Sequence, residues 1–373
     1  MSAPAVRGPF QWSVVVPLVA VVVLAVTWLH HEHWAVLVAI GAALVGAVLA
    51  AVHHAEVVAH KVGEPFGSLI LAVAVTVIEV GLIVMLMTSG GEGTSTYARD
   101  TVFAAVMITL NGIVGISLLV GALKHHLVSF NPSGTGSALT TVVALASLTM
   151  VLPSFTTSGQ GLEFSGSQLA FAAVASLVLY VGFVLTQTVR HRDFFVPVSS
   201  DEYGLMTGLL DADGDDHADP PSRRETLLSL VLLVVSLVSV VGLAKLLSPT
   251  IEDAVRAVGA PYAVVGVVIA LLVLAPESIA AVRNASRDRV QVSLNLGYGS
   301  AMASIGLTVP TIAVASIWLD GPLELGLETT QLVLLCITVV VSVLTVAQGR
   351  AKSQQGLVHL VLFGAFLFLS VVP

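Results

Sequence analysis

The chain consists of long apolar runs separated by short polar segments. A helix needs roughly 20 apolar residues to cross the hydrocarbon core of a membrane, within a working range of about 17 to 25. Turn-forming segments such as Asn131-Pro132-Ser133-Gly134 separate several of the runs. The pattern predicts eleven transmembrane helices, at residues 14–29, 34–52, 66–88, 101–123, 137–153, 167–189, 225–247, 261–282, 291–317, 329–347 and 356–372.

Composition agrees with a membrane protein and excludes a water-soluble one. Hydrophobic residues make up 56% of the 373 positions and charged residues only 10%, whereas about a quarter of the residues of a soluble domain are charged. The single cysteine, Cys336, excludes a disulfide framework and a thiolate metal cluster. The first apolar run lacks a clear cleavage site after it, so we interpret it as a retained helix.

Lys and Arg residues predict the orientation, because positively charged loops tend to stay in the cytoplasm. The N-terminus is therefore expected inside and the C-terminus outside, in the cell inner membrane. Only Arg99, Lys245 and Arg256 lie on the opposite side. Twelve lie on the N-terminal side: Arg7, Lys61, Lys124, Arg190, Arg192, Arg223, Arg224, Arg283, Arg287, Arg289, Arg350 and Lys352.

Helix spacing indicates an internal repeat. Residues 190–224 form the longest polar segment, and five aspartates make its middle acidic. Five predicted helices precede this segment and five follow it, with start-to-start offsets of 189 to 195 residues. An odd number of helices per half inverts the second half, as in many secondary transporters. We expect an extra helix in 1–33, repeats in 34–189 and 225–373, and a cytoplasmic linker in 190–224. Chance similarity of loop lengths is the alternative.

Two glutamates lie where charged residues are rare. All but two of the 15 basic and 23 acidic residues fall in loops or at the ends of predicted helices, and the exceptions are Glu79 and Glu277. An ionised group in the bilayer centre costs roughly 2.5 kcal/mol or more, so such residues usually mark an ion or proton pathway. They are 198 residues apart, close to the repeat offset. A protonated glutamate that merely joins helices is the structural alternative.

Paired carboxylates offer hard oxygen ligands that suit Ca²⁺. Burial and mutual repulsion also favour their protonated forms, so protons and a cation would compete for one site. Pro276 frees the carbonyl of Leu272 and could break the helix beside Glu277. Supporting ligands are expected among Thr76, Asn111, Leu272, Asn295 and Ser300, although each polar side chain could instead join helices. Glu64 is too far from Glu79 to share the site, and with Glu56 it would line a cytoplasmic mouth or meet headgroups.

Two motifs surround Glu79 and Glu277. The first runs from Gly63-Glu64-Pro65-Phe66-Gly67 to Glu79-Val80, and the second from Leu274-Ala275-Pro276-Glu277-Ser278 to Gly299-Ser300. They resemble the alpha-repeats of the cation/Ca²⁺ exchanger superfamily, and most closely those of bacterial ChaA-type Ca²⁺(Na⁺)/H⁺ antiporters. The resemblance implies that Glu79 and Glu277 alternate between Ca²⁺ and protons. Many Ca²⁺/H⁺ exchangers carry Gly-Asn before each glutamate. Here these positions hold Val75-Thr76 and Val273-Leu274, which makes Na⁺ or K⁺ a plausible cargo.

The sequence therefore predicts an all-α secondary transporter that exchanges Ca²⁺ for H⁺, with Na⁺(K⁺)/H⁺ exchange as the alternative. We expect no cofactor besides the transported ions. Expected partners are the lipid bilayer and small cations, not nucleic acid, and a homo-oligomer is left open. An intramembrane enzyme is a rival from another class, but no His-Glu-x-x-His motif supports it. A cation channel is a second rival. The acidic linker lacks the ligand spacing of an EF-hand.

Overall fold

A computed structural model describes residues 12–29, 33–63, 66–88, 93–159, 161–196, 221–257, 259–319 and 321–373. Within this part of the chain, eleven long helices form, as predicted. Ten have the length and apolar composition to cross a membrane, and the first is a shorter apolar helix of 16 residues. They are α1 (Trp12–Thr27), α2 (Trp34–Val62), α3 (Phe66–Met87), α4 (Tyr97–His125), α5 (Pro132–Ser154), α6 (Gly166–Arg190), α7 (Arg223–Ala257), α8 (Ala263–Ala285), α9 (Val290–Ala315), α10 (Thr329–Val346) and α11 (Ser353–Val371).

Several helices extend beyond the apolar stretches that predict them. α2 continues to Val62 and α7 to Ala257, ten residues past each predicted end. Glu56 and Glu252 consequently lie in helical turns and not in loops. A helix can continue in this way because its backbone hydrogen bonds are satisfied internally, wherever the apolar composition ends.

The helix break that Pro276 could cause beside Glu277 is absent. α8 runs unbroken from Ala263 to Ala285 with Pro276 inside it. Packed neighbours can support a helix through a proline in a membrane bundle, so the loss of one backbone hydrogen bond need not end the helix. Three other helices contain a π-helical turn, at Ile108–Ile113 in α4, Ser147–Val151 in α5 and Thr186–Arg190 in α6.

Helix packing follows the expected pairing of halves, in which α2–α6 correspond to α7–α11. α2 packs along its counterpart α7. α4 packs on α11 and on α8, while its counterpart α9 packs on α6 and on α3. Exchanging each helix for its counterpart therefore turns one set of contacts into the other. This pattern is the one that a two-fold related pair of repeats would produce.

The two ends of the bundle are fastened by different contacts. At the linker end, a two-stranded antiparallel ribbon joins β1 (Val128–Ser129) to β2 (Arg350–Ala351). At the far end, the buried guanidinium of Arg99 binds Asp100 at 2.8 Å and Glu328 at 3.2 Å. Backbone hydrogen bonds also tie the segment before α10 to two neighbouring loops, at Glu324 and Gly326, and to α5, at Leu327. The far end is thus closed by a connected polar network.

Candidate functional site

Glu79 lies inside the bundle, where α3 faces α9, and only 2% of its surface is exposed. Its Oε2 atom accepts two hydrogen bonds, from Ser304 Oγ at 2.9 Å and from Thr308 Oγ1 at 3.1 Å. Ser304 and Thr308 are one helical turn apart on α9, so both hydroxyls reach the same carboxylate. One oxygen of Glu79 is therefore fixed to α9.

The buried side-chain oxygens without a hydrogen-bond partner in the described part of the chain include three at this site, which are Glu79 Oε1, Glu277 Oε2 and Thr76 Oγ1. A buried polar atom without a partner costs roughly 1–3 kcal/mol, so an explanation is needed for each one. A bound cation or a proton would supply the missing interaction for all three.

One cavity of about 270 Å³ brings these atoms together. Glu79, Glu277 and Thr76 line it, and so do Ser300 and Asn295 from α9. Three of the five predicted supporting ligands therefore line the cavity, namely Thr76, Asn295 and Ser300. The wall also includes Gln187 and Val292, which lie near the linker ends of α6 and α9. The cavity therefore reaches from mid-helix toward the linker end of the bundle.

Asn295 connects the cavity wall to the start of the linker. Its Nδ2 donates to the backbone carbonyl of Phe195 at 2.6 Å, and its Oδ1 accepts from Gln291 Nε2 at 2.8 Å. The buried ring of Phe195 packs edge-on against Phe183, which also lines the cavity. Asn295 thus has its amide occupied by the protein, in a role that fastens the linker base to the cavity mouth.

Asn111 and Leu272, two further predicted ligands, are not among the residues that line the cavity. Asn111 is fully buried in the π-helical turn of α4, where its Nδ2 donates to Thr338 Oγ1 at 2.9 Å. Its Oδ1 lies 3.2 Å from Nδ1 of His359 on α11. Asn111 therefore joins α4 to α10 and α11. Leu272 packs in the apolar cluster between α2, α3 and α7.

Sequence reasoning missed Ser304 and Thr308, the two residues that hold Glu79. A signal was present, because Ser300, Ser304 and Thr308 recur every four residues and so share one face of α9. The cavity residues Tyr180 and Gln187 on α6 were also missed.

Acidic residues near the site are few. No group of three or more His, Cys, Asp or Glu side chains in the described residues could hold a metal ion. Glu56 on α2 is close enough to act electrostatically on Glu277, as Glu79 does, but Glu56 does not line the cavity. Glu64 lies outside the described residues. The site therefore offers two carboxylates and a few hydroxyl or amide oxygens.

Comparison with known proteins shows the family of the chain. The sequence profile of the sodium/calcium exchanger protein family matches residues 32–189 and 228–372, on either side of the linker. The chain belongs to this family. The exchanger is 45% identical over 369 residues to the "Putative ionic transporter y4hA" of Sinorhizobium fredii, and the aligned region covers 97% of this chain and 96% of the relative.

A second relative gives the class of activity. The exchanger is 33% identical to the "Sodium-potassium/proton antiporter ChaA" of Escherichia coli, over 96% of this chain and 95% of the relative. Its fold also matches the crystal structure of an "H+/Ca2+ Exchanger CAX", with a TM-score of 0.69 and 14% identity, over 95% of this chain and 87% of that one. The protein is thus a multi-pass membrane antiporter of the cation/Ca²⁺ exchanger type, and a secondary transporter, not an enzyme.

Proposed function

We propose that the protein exchanges Ca²⁺ for H⁺ by alternating access, with Glu79 and Glu277 binding the cation and protons in turn. The observation that carries the proposal is the single cavity in which both buried carboxylates keep an oxygen without a partner. Two carboxylates balance the charge of one Ca²⁺ or bind two protons. The site then stays near neutrality in both states, which lowers the cost of holding charge inside a membrane.

The direction of the cavity, together with the orientation of the chain in the membrane, indicates from which side ions reach the site. We place the N-terminus and the linker in the cytoplasm, on the basis of the Lys and Arg distribution. The cavity reaches toward the linker end, whereas the Arg99 network lies at the opposite end. In this orientation the described conformation faces inward, and ions reach Glu277 and Glu79 from the cytoplasm of the inner membrane.

Na⁺(K⁺)/H⁺ exchange is the second candidate. Ca²⁺ usually takes six to eight oxygen ligands, whereas three buried side-chain oxygens of the site lack a partner in the described residues. A monovalent cation needs less charge from the site, and the Escherichia coli relative is described as a sodium-potassium/proton antiporter. Waters in the cavity would have to complete the shell of a Ca²⁺ ion.

Purified protein in proteoliposomes tests both candidates. An imposed pH gradient should drive uptake of Ca²⁺, and the same measurement with Na⁺ and with K⁺ ranks the three ions. Cation movement must also dissipate the pH gradient, since exchange couples the two fluxes. Flux that ignores the pH gradient would indicate a channel and contradict the proposal. Coupled uptake of Na⁺ or K⁺ without Ca²⁺ would select the second candidate.

A further inference from the structure

The two carboxylates of the site are held in different ways. Glu79 accepts hydrogen bonds from two buried α9 hydroxyls. In the described part of the chain no side chain donates to Glu277, whose carboxyl accepts a hydrogen bond from its own backbone N–H and keeps its Oε2 atom buried without a partner. Aligning the repeats at an offset of 189 residues, as between the starts of the last predicted helix of each half, places Ser304 opposite Gly115 and Thr308 opposite Leu119. Neither side chain can donate a hydrogen bond, so the difference between the glutamates is encoded in the sequence.

We infer that Ser304 and Thr308 are positioning residues that make Glu79 the fixed carboxylate of the site, while Glu277 is the carboxylate that turns. This inference rests on the proposed function, because it assigns unequal roles to the two glutamates within that cycle. Hydroxyl donors favour the ionised form of a carboxylate and fix the direction of its lone pairs. Glu79 is therefore held ready for a cation through its free Oε1 atom.

The local structure of α9 supports a specific role for these two hydroxyls. Most hydroxyls of the bundle bond to a carbonyl of their own helix, as Thr311 Oγ1 does with Leu307 at 2.7 Å. Ser304 and Thr308 instead reach across to α3, 225 and 229 positions away in sequence. Both side chains are at least 96% buried. The α3–α9 pair is therefore joined at the functional carboxylate.

Glu277 lies in a different backbone setting. Pro276, directly before it, has no backbone N–H, so α8 lacks one hydrogen bond at this point. The Glu277 carboxyl lines the cavity and has an oxygen without a partner. Glu79 shares that second feature, but the missing backbone hydrogen bond at Pro276 and the two hydroxyls that hold Glu79 alone allow the Glu277 side chain to change direction more easily.

The test replaces the two hydroxyls and compares them with a matched position on the same helix. Ser304→Ala combined with Thr308→Val removes both donors, and Thr311→Val removes a hydroxyl that bonds only within α9. We expect the double variant to bind the cation at least tenfold more weakly, because charge-assisted hydrogen bonds to Glu79 are lost. Its half-maximal exchange should also shift to higher pH, since protons compete better at Glu79. Thr311→Val should match the wild type in both measurements.

Conservative changes separate positioning from folding. Ser304→Thr and Thr308→Ser keep a hydroxyl at each position and should restore most of the affinity and the pH profile. Thermal unfolding of each purified variant reports on folding independently. If the double variant folds and keeps wild-type affinity and pH profile, the positioning role is refuted. The proposed function is tested separately by Glu79→Gln and would be contradicted if that variant still exchanges ions.

Shortening each carboxylate tests the unequal roles. Glu79→Asp draws the carboxylate away from both hydroxyls, so we expect a larger loss of cation affinity than for Glu277→Asp. An equal or larger loss in Glu277→Asp would overturn the assignment of Glu277 as the mobile group.

Discussion

Cation affinity should rise with pH, with a slope set by the number of carboxyl groups that release a proton. Each proton released per bound cation changes the apparent Kd tenfold per pH unit, which is about 1.4 kcal/mol. The cavity holds two carboxylates, Glu79 and Glu277. The greatest slope that the site can give is therefore about 100-fold per pH unit, or about 2.7 kcal/mol.

Glu277→Gln is the informative perturbation, because glutamine keeps the size of the side chain but neither carries a charge nor binds the proton. Only Glu79 then titrates, so the slope should fall to about tenfold per pH unit or less. The assay is equilibrium binding of radiolabelled Ca²⁺ to purified protein from about pH 6 to about pH 8, a range in which carboxyl groups titrate when burial disfavours their ionised form.

Glu163→Gln serves as the control, since Glu163 lies in the loop before α6 and does not line the cavity. It should keep the wild-type slope. A wild-type affinity that does not change across this pH range would refute the competition between protons and cation. A Glu277→Gln slope equal to that of the wild type would show that Glu277 is not one of the titrating groups.

Three further predictions concern the bundle around the site. Phe195→Ala should lower the free energy of unfolding by about 3–5 kcal/mol, because it removes the buried ring that packs on Phe183 and leaves a cavity. Phe194→Ala, at an exposed position, should have little effect. Arg99→Gln should lower the free energy of unfolding by about 3–5 kcal/mol, because Asp100 is left buried without its ion partner. A smaller effect than that of the control Arg350→Gln, at the exposed linker end, would contradict this. Gly356→Val should also destabilise the protein, by about 1–3 kcal/mol or more, because a Cβ there would lie 2.5 Å from the backbone nitrogen of Leu119. Gly364→Val should be tolerated, since no atom lies within 4 Å of a Cβ at that position.

The sequence predicts the eleven helices because crossing a membrane requires a minimum apolar length, which can be counted directly. It also singles out Glu79 and Glu277, since an ionisable residue inside an apolar helix is costly and rare. Helix ends are less well predicted, as α2 and α7 show. Their charged residues continue the helix beyond the apolar stretch.

Polar partners inside the bundle could not be assigned from the sequence. Thr109 and Thr149 bond to carbonyls four residues back in their own helices, whereas Ser304 and Thr308 bond to Glu79. Composition cannot distinguish these cases, because the choice depends on which helix lies opposite. Asn111 illustrates the same limit, since its partners Thr338 and His359 are more than 200 residues away.

We propose that proton and cation share Glu79 and Glu277. The most direct test measures exchange driven by a pH gradient in proteoliposomes that contain equal amounts of wild type, Glu79→Gln or Glu277→Gln. We predict coupled cation and proton movement in the wild type and none in either variant, because each lacks one titrating carboxylate. Wild-type exchange in either folded variant would contradict the claim.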